Sequence, residues 1–242
     1  MDALIFTLMS GAERSLRAQQ IHANNLANIE TNGFRADLEI ATSQAVERGY
    51  GYDARHMSNL QANAVSSRQG PMRQTGRELD VAIDGPGYLV VQFGDGEAYT
   101  RAGSFTLDQD GTLTLNGRPV LGDGGPIVVP EHTAIQIGED GTISIRAAGQ
   151  TEMQVVDKLR FVKPEPNEIT KNSAGLIVAR SGEPLPFDDS VRVRSGYLEG
   201  SNVSAIEEMV ATMNLNREFE IQMKLYRAAD AMAENGNRLI RE

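Results

Sequence analysis

The side chains in this sequence that could do chemistry are carboxylates, hydroxyls and three histidines, and their spacing limits what they can do. His22, His56 and His132 stand far apart, without the close spacing with which a helix or hairpin offers two imidazoles to one metal ion. His22 falls on a helical segment, where it reads as a packed or exposed residue. The chain has no cysteine, which removes disulfides, thiolate ligands and sulfur nucleophiles together. Asp108-Gln109-Asp110-Gly111 begins like a calcium loop, but the later ligands and the closing glutamate do not follow, so it reads as a tight turn. Gly85-Pro86-Gly87 and Gly122-Asp123-Gly124-Gly125 are followed by no basic residue and open no helix, so they are not phosphate cradles. There is no Gly-x-Ser-x-Gly elbow. Carboxylates are plentiful, but a glycosidase pair is defined by separation in space, and nothing marks out one pair. No catalytic residue, cofactor site or metal ligand is assigned, and none is expected.

The charge balance points the same way. Lys and Arg number 23 against 33 Asp and Glu, a formal net charge of −10. A nucleic-acid binder needs clustered cations to displace counterions from phosphates, so nucleic acid is excluded as a partner. Only 5% of residues are aromatic and none is Trp; the core must rest on Leu, Ile, Val and Met. No stretch approaches the roughly 18 uninterrupted apolar residues of a membrane span. The opening Met1-Asp2-Ala3-Leu4-Ile5-Phe6 has no basic n-region, so no cleaved secretory signal is expected.

Three kinds of segment must position whatever this chain does. Ile5, Met9, Ala12, Leu16, Ala23 and Leu26 recur at steps of three and four, with Gln19 filling one place. This predicts an amphipathic helix from about Ala3 to Ile29, about 40 Å long, in an N-terminal segment 1–33 that stops near Asn32-Gly33. From Leu79 to about 195 the pattern changes to short alternating runs punctuated by Gly. Asn116-Gly117, Asp140-Gly141 and Gly94-Asp95-Gly96 separate such runs, predicting hairpins in an antiparallel sandwich or barrel. Helical spacing returns over 196–242. There Ser204 and Glu207 make a capping box, and Ile206, Val210, Met213, Ile221, Leu225, Met232 and Leu239 form a stripe about 50 Å long. The predicted fold class is mainly β with long terminal α-helices.

Neither helix has an evident partner except the other. One reading is a two-helix coil packed on the β domain. The other is that neighbouring subunits complete both stripes, making these residues an assembly interface. Between helix and β domain, 34–78 reads as an extended linker. Its stretch from Glu47 to Arg77 carries Arg48, Arg55, Arg68, Arg73 and Arg77 in an acidic chain. It is either a solvated loop or a docking segment in which Arg68 and Arg73 pair with carboxylates of neighbouring subunits.

Several motifs occur together and in order. Gln20-Ile21-His22-Ala23-Asn24-Asn25-Leu26-Ala27-Asn28, then Thr31-Asn32-Gly33-Phe34, resembles the N-terminal signature of bacterial flagellar rod and hook proteins. Leu79-Asp80-Val81-Ala82-Ile83-Asp84-Gly85-Pro86-Gly87-Tyr88 and Tyr99-Thr100-Arg101-Ala102-Gly103-Ser104-Phe105 resemble the start of their β domain. Gly196-Tyr197-Leu198-Glu199-Gly200-Ser201-Asn202-Val203 resembles the junction into their C-terminal helix. Within that family, the length, the opening Met1-Asp2 and the tail are similar to proximal rod members. Distal rod members are the nearest alternative, and a β-rich fibre or adhesin subunit and a peptidoglycan-cleaving enzyme are more distant ones. Met213-Asn214-Leu215-Asn216 departs from the family pattern, which carries an aliphatic residue and a Gln there.

The resemblance implies a non-enzymatic structural subunit that polymerises helically with copies of itself and other rod proteins. The polymer would be a torque-transmitting shaft around an export channel, with the terminal helices packed as a coiled coil. It implies passage through the flagellar type III export apparatus and residence in the periplasmic rod of the basal body, without loss of the N-terminus. Phe34 and Leu38, in Phe34-Arg35-Ala36-Asp37-Leu38, are similar to an export-gate signal; a packing contact after the first helix is the other reading.

Overall fold

The computed structural model describes residues 2–45, 56–172 and 174–241. Arg48 and Arg55 lie outside these, as do the side chains of Ile5 and Leu239. The chain forms two compact units. One is helical and comprises Met1–Ala27, Asp37–Asn63 and Ser204–Glu242; the other comprises Asn28–Ala36 and Ala64–Val203.

In the helical unit, α1 spans Asp2–Ala27 and α2 spans Ala205–Arg241. At 1.5 Å per residue these are about 39 and 55 Å long. Ser204 starts α2: its Oγ accepts the Glu207 backbone N–H at 3.5 Å and its carbonyl accepts that of Glu208 at 3.0 Å. Glu207 and Glu208 lie in the first turn, where the helix dipole favours negative charge. The strands Asp37–Ala45 and His56–Val65 are hydrogen-bonded neighbours. The segment 34–78 thus carries two strands, and a third at Met72–Gln74.

The β unit is built from short antiparallel sheets. Its five-stranded sheet runs in the order Phe161–Val162, Tyr88–Phe93, Gly96–Thr100, Ile177–Ala179, Ile169–Lys171. Three-stranded sheets join Ala134–Ile137, Thr142–Arg146 and Gln154–Lys158, and also Thr106–Leu107, Leu113–Leu115 and Arg118–Pro119. Val81–Asp84 pairs with Arg192–Ser195, and Met72–Gln74 with Tyr197–Glu199. Among the described residues these pieces do not close into a barrel. Many strands are two or three residues long, and each sheet ends in open edges rather than meeting itself.

The hairpins sit where turn chemistry demands. Asn116 has φ 51° and Gly117 φ 77°, both left-handed as a type I′ turn needs, and Leu115 pairs with Arg118 across it. Asp108-Gln109-Asp110-Gly111 is a turn: the Gly111 N–H donates to the Asp108 carbonyl at 3.0 Å, and the Asp108 side chain accepts the Gln109 N–H at 2.7 Å. The strand Tyr88–Phe93 feeds two apolar clusters because successive side chains point to opposite faces. Leu89 and Val91 join Ile83, Phe105, Leu113 and Ile143, while Tyr88 and Val90 join Tyr99, Val162 and Ile169.

Candidate assembly surface

The two helices run antiparallel, and small or polar side chains hold them together. Gly11 of α1 lies against the Gln222 amide of α2, so closely that a Cβ would crowd it. Gln19 Nε2 donates to Asn216 Oδ1 at 2.9 Å. Nearer the end of α1, His22 Nδ1 lies 2.5 Å from Glu208 Oε2. Asn25, almost wholly buried, donates to the same carboxylate at 3.3 Å and to the Asp37 carbonyl at 3.0 Å. Ser15 and Ala18 are buried on the same helix. Small residues bring the two backbones close, and polar pairs fix the register at a cost in apolar burial.

The apolar stripes read from spacing are therefore not the main seam of this helix pair. On α2, Ile206 is 77% exposed and Met232 67%, and Val210, Met213, Ile221 and Leu225 are each more than half exposed. Met209, missed in the sequence stripe, joins them. On α1, Met9, Leu16 and Ala23 are exposed, whereas Ala12 and Leu26 are partly covered. Leu8, Met9 and Ala12 also line a small apolar notch with Gln222, Met223 and Tyr226. An exposed Met or Leu here and there is ordinary, but a row along most of a helix is the signature of an interaction face.

The β unit holds the other notable constellation. Glu199, 2% exposed, accepts from Arg101 Nη1 at 3.0 Å and from the Gly70 N–H at 2.9 Å, and its other charge contact is Arg35 Nη2, 2.9 Å away. Arg35 also donates to the carbonyls of Ser67 and Arg68, and Arg101 to those of Ile83 and Gly85. The Arg101 guanidinium lies 5.4 Å from the centre of the Tyr88 ring. Burial pushes Arg101 below its ordinary value, opposed by Glu199 and reinforced by Arg35. Burial likewise raises the Tyr88 phenol.

Around this cluster the chain segments that adjoin the helices in sequence lie side by side. The Gly33 N–H donates to the Glu199 carbonyl at 2.8 Å, and the Ala36 N–H to Asn202 Oδ1 at 2.7 Å. Asn202 Nδ2 donates to the Arg68 carbonyl at 2.7 Å. Gly33 needs to be glycine twice over: its φ is +70°, and a Cβ would run into the backbone of Ala102. The short motifs at 31–34, 79–88, 99–105 and 196–203 thus meet in one buried place. Sequence reading did not single out Arg35, Arg101 or Glu199; the available signal was a charge inside each apolar, Gly-bearing motif.

The remaining predicted site residues fall apart in space or role. Arg68 and Arg73 are exposed; Arg73 lies on a strand, opposite Leu198. Phe34 is partly buried with Lys171 Nζ 3.9 Å from its ring centre, while Leu38 is 46% exposed. Lys171 also donates to the Arg35 carbonyl at 2.6 Å. No described helix is long and apolar enough to cross a membrane.

Comparison with known proteins covers the whole chain. The model of the flagella basal body rod protein family matches residues 5–35. That of the flagellar hook protein FlgE/F/G D1 domain matches 82–145, and that of the flagellar basal body rod FlgEFG protein C-terminal region matches 194–239. The chain is 39% identical to the flagellar basal-body rod protein FlgF of Salmonella typhimurium, and equally to that of Escherichia coli K12, each alignment covering 99% of both proteins. It is 33% identical to the flagellar basal-body rod protein FlgG of Buchnera aphidicola, over 94% of this chain and 97% of that one.

Proposed function

Because this chain belongs to the flagellar basal-body rod protein family and is a structural subunit of that rod, we propose that it polymerises helically through its terminal helices. The observation that carries this reading is the apolar row on α2, solvent-exposed in a single chain over most of a 37-residue helix. At roughly 25 cal/mol per Å2 of apolar surface removed from water, many such rows would hold a shaft that passes torque. Its position is that of the FlgF-type, proximal subunit; the 39% identity to FlgF of Salmonella typhimurium and of Escherichia coli K12 over nearly the full length, against 33% to FlgG of Buchnera aphidicola, supports this. The role is mechanical rather than catalytic, and the most deeply buried carboxylate described, Glu199, is taken up by structural partners.

The finer parts of the reading follow from the same premise. The subunit leaves the cytoplasm through the flagellar type III apparatus, keeps its N-terminus and resides in the periplasmic rod, in contact with copies of itself and other rod proteins. Arg68 and Arg73, exposed on the β unit, pair with carboxylates of neighbours. Phe34 and Leu38 serve as an export signal in the unfolded chain, since Phe34 is partly covered once folded.

The test is complementation of a strain lacking this gene, with purified basal bodies imaged by electron microscopy. Rods halted before completion in the deletion strain and restored by the gene are expected. Complete rods without the gene would remove the assignment.

A further inference from the structure

We propose that the buried Arg35–Glu199–Arg101 cluster is a folding gate, which keeps the β unit open until residues 199–202 arrive and then closes it around them. Arg35 and Arg101 are 2% and 3% exposed, and a single carboxylate, from a residue 98 positions beyond Arg101, answers both. Until Glu199 is present, closing the core buries two guanidinium groups against backbone carbonyls and, for Arg101, the Tyr88 ring, with no counter-charge. An unpaired buried charge is among the costliest defects a fold can carry. Carbonyl acceptors from Ser67, Arg68, Ile83 and Gly85 solvate the two groups but do not neutralise them.

The same few residues also close the backbone. The Glu199 carbonyl accepts from Gly33, the Gly200 N–H donates to the Pro71 carbonyl at 2.8 Å, and Asn202 bridges Ala36 and Arg68. Gly70 and Gly200 meet so closely that a Cβ on Gly70 would strike the Gly200 carbonyl. The strand Arg192–Ser195 pairs with Val81–Asp84 just before this segment. By residue 195 every strand of the unit but Tyr197–Glu199, a three-residue edge pairing with Met72–Gln74, is present, and that last short strand carries the charge partner itself. A chain delivered N-terminus first remains threadable until almost all of the β unit has passed. That use rests on the exported-subunit reading above, whereas the gate does not.

Ribosome-bound nascent chains, stalled at successive codons of the full coding sequence, test it by protease protection of the β unit. Protection is expected to rise about a hundredfold between stalls that expose residue 195 and stalls that expose residue 203, from the cost of the unpaired charges. Full protection with only residue 195 exposed would overturn the proposal. The variant with Arg35→Met, Arg101→Met and Glu199→Met together removes all three charges, and its protection should begin as soon as residue 195 is exposed. An unchanged late onset in that variant would assign the delay to the backbone contacts and overturn the charge gate. A gate observed alongside normal rods in the deletion strain would cost the exported-rod reading its support and leave the gate standing.

Discussion

The helical unit and the β unit bury opposite things. The β unit encloses a dense apolar core and, within it, two guanidinium groups that share one carboxylate. The helical unit joins its helices through Gly11, Gln19, His22 and Asn25, and leaves Ile206, Val210, Met213, Ile221, Leu225 and Met232 exposed. The first is a finished fold whose polar interior fixes where its chain segments meet. The second keeps an apolar row exposed. Under the proposed assembly, that division assigns shape to one region and cohesion to the other.

The largest expected effect comes from breaking the finished region at its centre. Glu199→Ala leaves two buried guanidinium groups without a counter-charge and should lower stability by about 3–5 kcal/mol. Chemical unfolding followed by tyrosine fluorescence would measure this, the chain having no tryptophan. A loss below 1 kcal/mol would mean the cluster is solvated in solution. Next, Gly103→Ala places a methyl group against the Val81 carbonyl across an approach that only glycine permits. Overpacking of this kind costs about 1–3 kcal/mol, and near-wild-type thermal stability would contradict the close approach.

Alkaline pH should divide the two regions more gently. Burial raises both Tyr88 and Tyr99 above the ordinary tyrosine value. The unfolded chain therefore loses these protons first. The stability they contribute is fully present below about pH 10, where free tyrosine titrates, and is lost as pH rises through the folded values. Unfolding midpoints measured from pH 8 to 11 should fall at the upper end, less in a Tyr88→Phe, Tyr99→Phe variant; parallel curves would contradict the sign. The smallest effect on the isolated chain is expected from Met213→Ser with Leu225→Ser. Both side chains are more than half exposed, so stability should change by about 0.5 kcal/mol or less, while rod assembly fails. A stability loss of several kcal/mol would place these residues in the chain's own core.

How much of this was legible in the sequence follows from the range of each interaction. The helices and hairpins were readable because their signals are local: steps of three and four residues, Ser204 before α2, and Asn116-Gly117 between apolar runs. The strands Asp37–Ala45 and His56–Val65 lack clean alternation and passed as linker. The apolar stripes were visible, but not that the two helices would meet on a different face, because spacing cannot rank a Gly-Ser-Ala face against a Met-Leu one. The ion cluster was invisible as a cluster, since Arg35 and Glu199 stand far apart in sequence and carry no mutual signal. Their motifs could be quoted one by one; only the fold brings them together.

Amide hydrogen exchange, residue by residue, on the dilute chain and on assembled rods tests the central claim most directly. The account predicts strong protection of the β unit in both states, and protection of α1 and α2 that is weak in the dilute chain and rises on assembly. Strong protection of both helices in the dilute chain, unchanged on assembly, would contradict it.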